Sequence, residues 1–126
     1  MSRTKQRESV VTLLYLQSMG GDVDNELYNE TVRYIVKEVT PYLPAIDRLI
    51  SDHLVDWTID RLNYVDLAII RYAVYEMKYA KTPYEIAIDE AIELTKKYTN
   101  LDDNKAKAFN NRLLDNIRKT LFPDGE

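Results

Sequence analysis

Between Trp57 and Lys97 the chain reads WTIDRLNYVDLAIIRYAVYEMKYAKTPYEIAIDEAIELTKK, and three charged residues there, Arg71, Glu76 and Glu90, sit among apolar neighbours. An unpaired ion is costly to bury, so such residues are either paired inside the protein or aimed at a ligand. An antiparallel pair of helices brings Arg71 within reach of Glu90 and satisfies both charges. The other reading is that Arg71 contacts a ligand. Asp89, Glu90 and Glu93 form an acidic run that could hold a divalent cation. On a helix such a run is more often a solvated face, with Glu90 paired to a nearby cation.

Two basic groups carry a different chemistry. Near the start, Arg3, Lys5 and Arg7 place cations at alternate positions, suited to phosphate contacts from an arm that orders on binding. A solvated tail is the competing reading. Later, DDNKAKAFNNR sets Lys105, Lys107 and Arg112 beside Phe109, Asn110 and Asn111. Single-stranded RNA is held by phosphate pairing, base stacking and edge hydrogen bonds, and these residue types supply all three. Phenylalanine is more often core than stacking platform, so Phe109 has a structural reading too.

Catalysis finds little support. The glycines are Gly20, Gly21 and Gly125, which leaves no phosphate-binding loop. There is no cysteine, so disulfides, thiolate metal sites and cysteine nucleophiles are excluded, and the single histidine, His53, cannot build a His-rich metal centre. No enzyme activity, cofactor or metal is expected. No apolar run reaches membrane-spanning length and MSRTKQRE lacks a signal-peptide core, so a soluble cytoplasmic protein with no membrane partner is expected. The net charge of −4 argues weakly against non-specific coating of nucleic acid and leaves room for a local basic face.

The elements that would position these groups are helices. The chain has 126 residues with only three glycines and four prolines, and no stretch alternates as a strand would. A first helix is expected from Arg3 to Met19, stopped by Gly20-Gly21, with residues 1–8 a frayed basic arm. Asp24 is the expected N-cap of a second helix to Val39. A third carries Ile46, Leu49, Ile50, His53 and Leu54, closed by Trp57 as a core anchor. The fourth spans Asn63 to Tyr79; Thr82 and Pro83 open a fifth with Ile88, Ala91, Ile92, Thr95 and Tyr98 on one stripe. The last starts at Asp103 or Asn104 and runs to Phe122-Pro123. The fold class is all-α, a single domain over residues 1–126.

The words RESVVTLLY, WTIDRL, VDLAIIRYAVYE, TPYEIAIDEAIELTKKY and AFNNRLLDNI together closely resemble the NusB family of bacterial transcription antitermination factors. The resemblance covers most of the chain and is densest from Trp57 to Ile117. It implies six to seven helices in two helical bundles, and no catalysis. It implies an adaptor that binds boxA-type single-stranded RNA of ribosomal RNA operons together with the NusE ribosomal protein, inside the RNA polymerase antitermination complex. Family members occur as monomers and as dimers, so a homodimer is also allowed.

Carried over by position, the family's arginine-rich start corresponds to Arg3, Lys5 and Arg7. Its RNA-contacting aromatics correspond to Tyr98 and Phe109, and the asparagine of its FVNG motif to Asn111. Its NusE-facing surface corresponds to Tyr15, Asp60 and Asp66, with Asp102 in the acidic loop beside the RNA path. The chain departs from the family where Arg112 stands for the FVNG glycine, Ala108 for a lysine and Leu54 for an aromatic used for RNA by some members. The basic arm is thinner, and the loop before the last helix is a few residues longer. A protein-interaction module that has lost RNA binding is therefore the alternative. An RNA methyltransferase fragment is a weaker third reading, since NusB-like domains also precede such enzymes.

Overall fold

The computed structural model describes residues 1–101 and 103–125. Six α-helices occur among them: α1 (Arg3–Ser18), α2 (Glu30–Val39), α3 (Leu43–Asp52), α4 (Tyr64–Lys78), α5 (Tyr84–Tyr98) and α6 (Lys105–Leu121). Short 3-10 turns at Thr40–Tyr42 and Ile59–Arg61 precede α3 and α4, and the described residues contain no strand. No helix is long and apolar enough to cross a membrane.

Helix α4 is the axis of the molecule. Leu67 to Ile70 and Tyr72 to Met77 are all buried, so it is enclosed on nearly every side. Helices α4, α5 and α6 pack on one another; α1 lies against both α2 and α4, and α3 against α4 and α6. The two groups of helices share α4 and one continuous core. Val32, Val36 and Val39 of α2 and Ile46 and Ile50 of α3 close it from the other side.

Local signals explain most helix ends. Asn63 caps α4, its side chain accepting from the Val65 and Asp66 N–H groups. Helix α1 ends in a Schellman turn: the Gly21 N–H donates to the Leu16 carbonyl (2.8 Å) and the Gly20 N–H to the Gln17 carbonyl (3.0 Å). Gly20 takes φ +90°, and a Cβ on Gly21 would meet the Leu16 oxygen at 2.8 Å, so both glycines are required.

Several expectations are corrected. The basic start is not a frayed arm: Ser2 caps α1 by accepting from the Lys5 N–H, and Arg3 to Glu8 form its opening turns. Helix α2 is capped by Asn29, whose side chain accepts from the Val32 N–H at 2.8 Å, and not by Asp24. Asp24 pairs instead with exposed Lys37, and residues 22–28 form turns. Thr82 does not cap α5; its hydroxyl donates to Glu76 at 3.0 Å and Pro83 takes the cap position. Trp57 is no core anchor, being 49% exposed on the connection after α3.

The inward charges are satisfied, but by other partners than helical spacing suggests. Arg71 pairs with Asp47 of α3 through two bonds of 2.8 and 2.7 Å, and not with Glu90. Arg7 of α1 takes both acids. Its Nε and Nη2 donate to the two oxygens of Glu76 at 2.6 and 2.8 Å, and its Nη1 to Glu90 at 2.8 Å. Thr4 completes Glu90 with a 2.7 Å bond. The Arg7 side chain is 8% exposed and that of Glu76 4%. The Glu76 hydrogen bond, outweighing burial, raises the Arg7 pKa above its ordinary value.

Candidate nucleic-acid interface

Of the three basic residues at the start of α1, only Arg3 and Lys5 are exposed. Arg7 as a phosphate contact is corrected, because its guanidinium is spent on Glu76 and Glu90. A one-residue step along the helix separates it from Glu8, which faces the end of α5. There Lys97 donates to Glu8 Oε2 at 2.6 Å and the Tyr98 hydroxyl bonds the same oxygen. The Lys97 bond, then the Tyr98 bond, hold the Glu8 carboxyl below the usual carboxylate value. The same contacts raise Lys97 and Tyr98. The Lys97 ammonium also lies 5.4 Å from the Tyr98 ring centre. Lys5 lies beside this link, whereas Arg3 lies beside Thr82, Pro83 and Ile86 at the start of α5.

A short polar connection leads from Tyr98 to α6. Asn104 opens α6 with φ +62° and no side-chain cap; its amide oxygen accepts from Asn100 instead. The Lys107 N–H donates to Asn100 Oδ1 at 3.4 Å, and Lys105, half-buried Lys107 and exposed Phe109, Asn111 and Arg112 lie on the surface of the molecule. Phe109 is 38% exposed and Tyr98 39%, so neither is core; each offers part of a ring to solvent.

Behind that face, Asn110 is fully buried and ties three helices together. Its Nδ2 donates to Asp66 (3.0 Å) on α4 and to the Thr95 hydroxyl (3.1 Å) on α5. Asp66 also accepts from Thr99 at 2.6 Å. This half-buried network fixes the α5–α6 connection relative to α4. Asp66, read as partner-facing, thus has one carboxylate oxygen committed inside the protein. Asp60 is exposed on the turn before α4, and Tyr15 is half-buried against the core. Asp102 lies outside the described residues.

Sequence reading missed three features here. Glu8 anchors α1 to α5, a pairing that spans 89 positions and leaves no local trace. His53 links α3 to α6, its ring nitrogens meeting the Leu49 carbonyl (2.8 Å) and the Thr120 hydroxyl (2.7 Å). Trp57 stands exposed with the Arg61 guanidinium 5.3 Å from its ring centre. The acidic run raised as a cation site does not converge: Glu90 is bound to Arg7 and Thr4, and Glu93 to Lys96.

The family profile of NusB matches residues 4–119, which contain every helix but the two ends of the outer pair. The chain belongs to the NusB family. It is 34% identical over 130 residues to the transcription antitermination protein NusB of Fervidobacterium nodosum, covering 93% of this chain and 90% of that one. Among solved structures, T. maritima NusB superposes with a TM-score of 0.78 at 31% identity, covering 94% of this chain and 92% of that one. A crystal structure of antitermination factors NusB and NusE in complex with double-stranded RNA superposes at 0.76 with 26% identity, covering 95% and 99%. The family match, over residues 4–119, takes in Lys5, Arg7 and the cationic start of α6, with Arg3 just outside it.

Proposed function

We propose that the protein is a cytoplasmic antitermination adaptor that holds boxA-like single-stranded RNA jointly with the NusE ribosomal protein, as part of the RNA polymerase antitermination complex. The observation that carries this reading is the exposed ring of Phe109 at the cationic start of α6. Tyr98, Arg3 and Lys5 extend the same chemistry toward α1. In this reading Lys105 and Lys107 pair with phosphates, Phe109 and Tyr98 stack bases, and Asn111 bonds a base edge. Tyr15, Asp60, Asp66 and Asp102 face NusE. Two weak surfaces joined on one RNA reinforce each other through effective concentration.

A protein-only module is the second reading, and one observation favours it: with Arg7 withdrawn into the core, the start of α1 offers fewer free cations than its sequence suggests. The deciding experiment is fluorescence anisotropy of a labelled boxA-like RNA and of a scrambled RNA of equal length, with and without purified NusE. Tighter, sequence-preferring binding with NusE supports the adaptor. NusE binding with no RNA preference leaves the protein-only module. A homodimer that covers Phe109 would appear as RNA binding that weakens as protein concentration rises.

A further inference from the structure

Asn110 is an amide in a place that an apolar side chain would fill at less cost. It is wholly removed from water, yet only one end of its amide is used. Nδ2 donates to Asp66 Oδ1 and to the Thr95 hydroxyl, while Oδ1 has no partner among the described residues. The Asp66 carboxylate dictates that orientation, because an ionised carboxylate only accepts and the amide must turn its N–H groups toward it. A buried acceptor left unpaired is a cost, and leucine of similar size escapes it. The amide therefore contributes something other than stability.

What it does is join two surfaces. On one side stands Asp66, in the first turn of α4, whose Oδ1 accepts from both Asn110 and Thr99. On the other side stands the end of α5. The Thr95 carbonyl accepts from the Thr99 and Asn100 N–H groups at 2.9 Å each, and its hydroxyl donates to the Ala91 carbonyl at 2.9 Å. Asn100 in turn donates to Asn104 Oδ1 at 2.9 Å and accepts from the Lys107 N–H. An unbroken run of hydrogen bonds thus leads from Asp66 to the first turn of α6. That turn has little support of its own. Asp103 and Asn104 enter it in the left-handed region, at φ +46° and +62°, and no side chain caps it.

We propose that Asn110 is a positioning residue that couples the partner-facing Asp66 to the RNA-facing start of α6. Protein on Asp66 and RNA on α6 steady the same buried link, so whichever binds first leaves the second less to order. This rests on the adaptor reading above and deepens it: part of the mutual reinforcement runs through the interior of this chain, beside the part that comes from sharing one RNA. The coupling is reciprocal, as any coupling of two binding equilibria must be.

The test is Asn110→Leu, which keeps the volume and removes the amide. Anisotropy of labelled boxA-like RNA is measured with and without saturating NusE, and NusE binding with and without RNA. The factor by which NusE tightens RNA binding should shrink roughly 2- to 30-fold, and the factor by which RNA tightens NusE binding should shrink equally. The urea midpoint should equal or exceed that of the parent. In the parent, NusE alone should slow hydrogen exchange at the amides of residues 105–110; in Asn110→Leu it should not. Should Asn110→Leu fail to fold, Thr99→Val, on the half-buried connection, removes the other internal bond of Asp66 and carries the same measurements. Full coupling in the folded variant overturns the proposal and leaves the adaptor reading standing. RNA affinity lowered equally with and without NusE also overturns it, because Asn110 then only shapes α6. A parent protein that binds no RNA in any mixture overturns both readings.

Discussion

Arg7 and Glu76, 69 positions apart, meet in a two-pronged ion pair with N···O distances of 2.6 and 2.8 Å. Both side chains are almost wholly removed from water. The pair clamps α1 to α4, and Glu90 extends the clamp to α5. Its planar fork geometry is one that lysine cannot reproduce.

Arg7→Ala leaves Glu76 buried and uncompensated. It should destabilise the fold by about 3–5 kcal/mol, a large part of a typical domain's total. Arg7→Lys should fall between. Replacing both partners by methionine should recover much of the loss, because two buried charges vanish together. Urea unfolding of the single and double variants measures this. A stable Arg7→Ala protein with selectively weakened RNA binding would return Arg7 to the nucleic-acid surface.

The Arg71–Asp47 pair is more exposed, with side chains at 17% and 29%. It fastens α3 to α4. A double-mutant cycle with Arg71→Met and Asp47→Asn should give a coupling of about 0.5–3 kcal/mol. The same cycle between Arg71 and Glu90 should give almost none.

Glu8 confers a pH dependence of defined sign. The folded protein holds its carboxyl below the ordinary value of 4.5, so its contribution is complete above that value and is lost as pH falls through the lowered one. Glu8→Gln should therefore be less stable than the parent at neutral pH, with the difference closing in acid. It should also let the Tyr98 hydroxyl ionise at lower pH, since Glu8 is the chief cause of its raised value. Thermal melts across pH and ultraviolet titration of tyrosine follow the two effects.

Arg3 and Lys5 are the cations that α1 leaves in solvent. If both contact phosphate, replacing them by alanine should flatten the slope of log affinity against log salt by about 1.4, at roughly 0.7 per single-strand contact. Adding Arg7 to the pair should not flatten it further. An unchanged slope in the double variant removes the start of α1 from the RNA path.

The helices themselves could be read from the sequence because their signals are local. Asn63 before the α4 run and Gly20-Gly21 after α1 act within a few residues, and the structure places helix ends there. Asp24 and Asn29 are both good caps, and choosing between them depends on whether residues 25–28 can reach the core. Leu27 is 91% exposed, and only Tyr28 of the four packs against the core, its hydroxyl bonded to Thr12. Inward charge at Arg71, Glu76 and Glu90 was equally legible. Its pairing was not, because helical periodicity tells which face a charge occupies and nothing about which distant helix meets it. The same limit hid Trp57, whose size argues for burial while its place on a connection keeps it at the surface.

The clamp at Arg7 also orders events in time. During synthesis Glu90 follows Arg7 by 83 residues, so at about 5–20 residues per second the guanidinium waits roughly 4–17 s for its second acid. Until α4 and α5 have emerged, α1 has none of these ion partners, and only α2 to cover part of its apolar face. It is therefore a provisional helix in the nascent chain, and the arrival of α5, rather than the formation of α1, commits the protein to its fold.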